Sequence, residues 1–230
     1  SEENLRSSDA IEIKIGQGAK PGDGGLLPAE KVAPHIQAIR GVPKADLLSP
    51  PNHQGLYSIE ESVQKMFLSM NAAFKFRVPV AIKVAASSTS VAVFNNLVRD
   101  PYNIVGGFFL DGIDGGTGAA HDISLDHTGH PVVSKLRDCY LAAVAQGRQG
   151  QIPLWAAGGL GKTGNLAADA FKMFCLGANG VFSGKLILQL AEICVCLQLG
   201  IILCYGKKPE RTPSICWFAW IFSPTLRAPA

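Results

Sequence analysis

Residues 152–176 read IPLWAAGGLGKTGNLAADAFKMFCL, and the order of residue types within them decides the fold class. An apolar, β-rich run, Ile152–Ala157, ends on the glycine cluster Gly158–Gly164. Apolar residues at helical spacing then follow over Asn165–Leu176. A strand, a glycine-rich loop and a helix in succession are the building block of a βαβ fold.

The same succession recurs along the chain. Ile11–Ile15 (IEIKI), Val78–Val84 (VPVAIKV), Gly107–Leu110 (GFFL) and the shorter Gly180–Phe182 (GVF) read as strands. Ile59–Ala73 places Val63, Met66, Phe67 and Met70 on one helical face, and Ser58 with Glu61 has capping-box spacing at its start. Ser134–Ala145 is a further helical segment. Strands alternating with helices predict an α/β fold around a parallel sheet. No short fixed period is visible, which argues against a solenoid.

Composition sets bounds on this reading. At 230 residues and 47% apolar, the chain has material for a packed core. A complete (β/α)₈ barrel usually takes about 250 residues. Glycine, at 25 residues, is about half as common again as the usual ~7% and lacks collagen's period. The excess therefore belongs to turns or to places where backbone approaches a ligand closely. A net charge of +3 and a pI near 8.5, with no dense Lys/Arg block, argue against a nucleic-acid partner.

Three glycine clusters follow candidate strands: Gly16–Gly25 after IEIKI, Asp111–Gly118 after GFFL, and Gly158–Gly164 after IPLWAA. In parallel α/β proteins the C-terminal strand ends carry the ligand site. Loops of this kind at that end present backbone N–H groups to an anion. The third cluster suits a phosphate, because the next helix adds its N-terminal N–H groups and dipole. GxxxxGK[ST] spacing does not occur there, which argues against a nucleoside-triphosphatase. Lys14 and Lys83 lie inside apolar strands, where an ammonium points into a solvated face or into a site. His53 and Asp114 are lesser candidates, whereas His35, His121, His127 and His130 read as solvated loop residues.

The six cysteines include no CxxC pair and no zinc spacing with histidine, so they read as reduced, cytosolic thiols. SEENLRSSDA at the start is polar and acidic, unlike a secretory or transit segment. Leu186 to Cys204 is about as long as a bilayer span and mostly apolar. Glu192 near its middle would cost a few kcal/mol there, which argues against a membrane helix. From about residue 191 the pattern changes to an irregular hydrophobic C-terminal tail, with Cys194, Cys196, Cys204, Cys216 and no clear apolar face. Residues 1–190 and 191–230 are therefore read as separate units, the second as a shifted reading frame or fused end.

IEIKIGQGAKPGDGGLLPAEKV, DLLSPPNHQGLYSIEE, VPVAIKVA, DGIDGGTGAA and AAGGLGKTGNLAADAFKMFCLGANGVFSG together resemble the FMN-binding domain of glutamate synthase, over roughly residues 10–190. The large subunit and the stand-alone glutamate-synthase-like flavoproteins are the nearest in pattern. The resemblance implies an incomplete TIM (β/α)₈ barrel lacking its first strands, with FMN at its C-terminal mouth. In such enzymes reduced FMN passes a hydride to the imine formed from 2-oxoglutarate and ammonia, giving L-glutamate.

The resemblance also implies residue roles. Lys83, Gln17 and Lys20 are the catalytic candidates: Lys83 at the flavin pyrimidine edge, Gln17 near the flavin, Lys20 near a substrate carboxylate. Asp114, Gly115, Gly116 and Thr117 line the mouth, while Gly158, Gly159, Gly180, Ser183 and Gly184 hold the FMN phosphate. Lys14, Gly24 and Gly25 join Lys20 on the substrate. Leu26 stands where glutamate synthases often carry Gln, which allows another oxo acid. The family's [3Fe–4S] cluster needs cysteines spaced C-x₅-C-x₄-C, a spacing not found here. A glutaminase or electron-donor subunit is the implied partner. A fragment that binds a partner chain without catalysis is the reading from another class.

Overall fold

The computed structural model describes residues 7–50, 58, 68–73, 78–100, 105–117, 120–184 and 219–222. The main sheet contains β1 (Ile11–Lys14), β4 (Val80–Ala85), β5 (Gly107–Asp111), β6 (Leu154–Ala157), β7 (Gly180–Ser183) and β8 (Ala219–Phe222), side by side in that order. The first five are parallel throughout, and β8 lies antiparallel on β7. Two short strands, β2 (Leu26–Leu27) and β3 (Leu47–Leu48), form a separate antiparallel pair. The result is a mixed α/β fold with a mostly parallel sheet, an arrangement compatible with part of a barrel.

Every strand read from the sequence is present, with small shifts that two prolines explain. Pro79 and Pro153 lack an N–H, so β4 and β6 begin one residue after them. Their carbonyls still accept, from Ile11 N–H at 3.0 Å and Phe108 N–H at 2.8 Å. β8 was not expected. Its run AWIF is apolar and aromatic enough to extend a sheet edge, whatever its helical face.

Helices α1 (Pro34–Arg40), α2 (Ser88–Arg99), α3 (Asp122–His127), α4 (Val133–Ala145) and α5 (Leu166–Cys175) fill the connections. Of the segment expected over 59–73, residues 68–73 are helical. Its start, with Glu61, lies outside the described residues, as do His53, Leu186 to Cys204 and the four cysteines of the tail. α2 buries Val93, Phe94, Leu97 and Val98, a 1-3-1 spacing that makes one apolar stripe. α4 buries Leu136, Cys139 and Ala143, and α5 buries Ala170 and Met173.

Alternation along each strand sorts the sheet into two faces. Ile11, Ile13, Ile82, Val84, Phe108, Leu110, Leu154 and Val181 face the helices and form the main core. Phe94 of α2 meets Phe108 edge-on, with ring centroids 4.9 Å apart. On the opposite face Ala81, Phe109 and Trp155 form a small second cluster with Phe182 against it. Phe109 stacks on Trp155 at 5.4 Å and meets Phe182 edge-on at 6.2 Å. That second face, at its C-terminal end, is where the charged residues of β1, β4 and β5 stand.

Candidate functional site

A cleft of ≈ 230 Å³ opens at the C-terminal ends of the parallel strands. Its floor and walls come from all five: Lys14 of β1, Lys83 of β4, Asp111 of β5, Ala157 of β6 and Phe182 of β7. The glycine loops close over it. Gln17 lines it from the first loop, Gly115 and Gly116 from the second, Gly158 and Gly159 from the third, and Gly184 from the turn after β7.

Lys14 and Lys83 are register partners in the parallel pair of β1 and β4, so period-2 alternation points both to the same face. Each has a neighbour that holds it. Lys14 Nζ donates to Gln17 Oε1 at 3.2 Å. Lys83 Nζ lies 3.2 Å from Glu12 Oε1, one pleat lower on β1. Burial pushes the Lys14 ammonium below its ordinary pKa, and the Lys83 charge pushes it the same way. Asp111, at the end of β5, accepts the Gly18 N–H at 2.9 Å through Oδ2. Burial raises its pKa above the usual carboxylate value, although the Gly18 N–H, Lys83 and Lys14 all oppose that.

The loops are packed backbone against backbone. Gly158 and Gly159 have φ of +98° and +79°, and a Cβ at either would run into Gly112 or Asp114 of the second loop. Glycine is thus required twice over: for the backbone angle and for the close approach. The start of α5, expected to add its N–H groups to this loop, already has acceptors of its own. Asn165 caps Ala168 N–H at 3.0 Å. Buried Asp169 accepts from Gly161 N–H and Thr163 Oγ1, each at 2.9 Å. Loop backbone, rather than the helix terminus, is what faces the cleft.

Of the residues singled out in the sequence, Lys14, Gln17, Lys83, Gly115, Gly116, Gly158, Gly159 and Gly184 meet at the cleft. The others are placed elsewhere. Lys20 is buried within the turn after Gln17, its N–H donating to Gln17 O at 3.2 Å. Gly24 and Gly25 pack on Ser49 beside the β2–β3 pair, with Ser49 N–H donating to Gly25 O at 2.8 Å. Asp114 is exposed and pairs with Lys162 at 3.8 Å, and Thr117 is half-buried just beyond it. Gly180 sits at the far end of β7 under the Trp155 ring, which leaves no room for a Cβ. Ser183 is buried, with Oγ donating to Leu160 O at 3.0 Å.

Asp111 and Phe182 line the cleft without having been singled out. The signal for Asp111 was available: it stands two residues after Phe109, hence on the same face, at the C-terminal end of a parallel strand. Among the described residues, no group of three or more His, Cys, Asp or Glu could hold a metal ion. No described helix is long and apolar enough to cross a membrane.

Residues 1–207 match the model of a family described as a conserved region in glutamate synthase. Over 213 residues the chain is 37% identical to the archaeal glutamate synthase (NADPH) of Methanocaldococcus jannaschii, covering 92% of this chain and 40% of that one. It is 34% identical over 203 residues to the archaeal-type glutamate synthase (NADPH) of Thermotoga neapolitana, covering 87% and 38%. It is 33% identical over 200 residues to ferredoxin-dependent glutamate synthase 1, chloroplastic/mitochondrial, of Arabidopsis thaliana, covering 85% and 12%. The chain thus spans about two fifths of the length of these archaeal and archaeal-type relatives.

Proposed function

Because the chain belongs to the glutamate synthase family, we propose that it is the FMN-binding part of a glutamate synthase-type oxidoreductase, its parallel strands being part of a (β/α)₈ barrel. One observation carries this reading: two lysines in register face three glycine-rich loops across a cleft at the strand ends. The residues suit the cofactor in kind. Gly158, Gly159 and Gly184 line the cleft with backbone, the two former at positive φ, which fits a phosphate. Phe182 and Ala157 offer apolar surface to a ring, and Gln17 and Lys83 offer polar groups to its edge.

When bound, FMN would supply a hydride to the imine of 2-oxoglutarate and ammonia, giving L-glutamate. The protein's part is orientation and electrostatics. Lys83, pinned by Glu12, places positive charge beside the cleft, where it stabilises negative charge on whatever binds there. Lys14 forms the cationic side for a substrate carboxylate, and the buried Lys20 adds positive charge close enough to act on it. Gly24 and Gly25 carry the first loop past them, and Asp114 to Thr117 form the outer rim. Gly180 and Ser183 act indirectly, by seating Trp155 and Leu160. Ammonia and electrons would come from a glutaminase and a donor subunit or domain, in the cytosol. The family's [3Fe–4S] cluster falls outside what the described residues can hold.

Leu26 favours a second substrate reading within the same chemistry. It is apolar, 37% exposed and directly follows Gly25, so an oxo acid less polar than 2-oxoglutarate would also be accommodated. Titration of the purified chain with FMN, followed by quenching of flavin fluorescence, tests the proposal. Saturable binding is the expected result, with affinity reduced about tenfold or more in Lys83→Ala, the loss of one charge-assisted contact. Absence of binding by the unaltered chain sinks the flavin reading.

A further inference from the structure

The carboxylate of Asp111 is central to the cleft and has no part in the roles described so far. Three segments converge on this residue. Its Oδ2 accepts the Gly18 N–H from the first glycine loop at 2.9 Å. Its carbonyl accepts the Ala86 N–H from the end of β4 at 2.8 Å. Gly18 lies so close to the Asp111 backbone that a Cβ would collide with it. The residue before Gly18 is Gln17, which both lines the cleft and receives the Lys14 ammonium at 3.2 Å.

We propose that Asp111 is a positioning residue: its carboxylate anchors the Gln17–Gly18 turn to the end of β5 and so fixes Gln17 and Lys14 at the cleft. The proposal deepens the flavin reading of the same site, and its geometric part stands without it. The charged groups that face Asp111 are Lys14 and Glu12 on β1 and Lys83 on β4; those on β1 and β4 reach it across the sheet. Its carboxylate therefore also offsets a pair of like charges that no other acid at the strand ends approaches from β5.

Hydrogen exchange at the Gly18 amide tests the anchor with no ligand present. In Asp111→Ala the protection of that amide should fall about tenfold, the loss of one hydrogen bond to a charged acceptor. In Asp111→Asn, whose side-chain oxygen can still accept, protection should stay within about threefold of the unaltered chain. Unchanged protection in Asp111→Ala overturns the proposal. So does an Asn variant as exposed as the Ala variant.

FMN titration supplies the second arm. Asp111→Ala should weaken FMN binding about tenfold and Asp111→Asn by less than about threefold, following the hydrogen bond rather than the charge. The reduction potential of flavin bound to Asp111→Asn should be more positive, because one negative charge lining the cleft is gone. FMN binding that ignores both substitutions overturns the link between anchor and cleft. If the unaltered chain binds no FMN, the flavin reading falls and amide exchange still decides the anchor.

Discussion

Gly158 and Gly22 share a left-handed backbone, φ +98° and +82°, but not an environment: nothing lies within 4 Å of a Cβ built at Gly22, whereas Gly112 fills that space at Gly158. The two effects of glycine can therefore be separated. Gly22→Ala should lower stability by about 1 kcal/mol, the strain of a left-handed alanine. Gly158→Ala should lower it by about 3 kcal/mol, because backbone must also move; urea midpoints would show whether the two differ. Residues of this kind were legible as clusters, though not as individuals. Lys14 and Lys83 were readable as a pair, because a lysine in an apolar strand faces solvent or a site and two of them narrow the choice. Asp111 had a positional signal, two residues after Phe109, but its role as an anchor is not readable until the partner, Gly18, is known. Lys20 shows the opposite: a residue marked by its motif that the fold buries beneath the loop.

At the scale of elements, α2 shows why one helix escaped a pattern that revealed its neighbours. Its capping box uses serine at both ends: Ser87 Oγ accepts Ser90 N–H and Ser90 Oγ accepts Ser87 N–H, each at 3.0 Å. The usual signal looks for Glu or Gln at the third position. Ser, Thr and β-branched Val in the first turns also lower its helix propensity. Packing compensates, through Phe94 on Phe108 and through Arg148, which donates to the carbonyls of Val98 and Asp100 at 2.7 and 3.1 Å. Ser87→Ala should therefore cost about 0.5–2 kcal/mol, read as a lower thermal midpoint with native helix content below the transition. A loss below 0.3 kcal/mol would mean that packing alone sets the start of α2. The start of α5 falls at Asn165 as its sequence suggests, but Asp169, four residues after that cap, is invisible as a ligand for Gly161 until the loop is folded.

Across the whole molecule, the parallel sheet places burial on both faces, as such sheets require, yet the two are unlike. One is covered by α2, α4 and α5; the other narrows from the Phe109–Trp155 stack to a ring of charges. Strand order followed directly from chain order, since successive βαβ units place each strand beside the last. The antiparallel strand at residues 219–222 did not, because a βαβ unit leaves its strands parallel. Asp111 and Lys14 both make the charged state costly, in opposite pH ranges. The raised Asp111 pKa lends stability that is complete below the ordinary carboxylate value and lost as pH rises through the folded value. The lowered Lys14 pKa makes stability rise with pH from its folded value up to 10.5. The in-register pair of Lys14 and Lys83 also links the cleft to the solvent's protons. An anion settling beside Lys14 restores its preference for the ammonium, so binding at a pH within its lowered titration range should draw protons from the buffer. Calorimetry in buffers of different ionisation enthalpy would then give different heats for one ligand, a difference that Lys14→Met should abolish. Equal heats in every buffer would show that the lysine was already fully protonated.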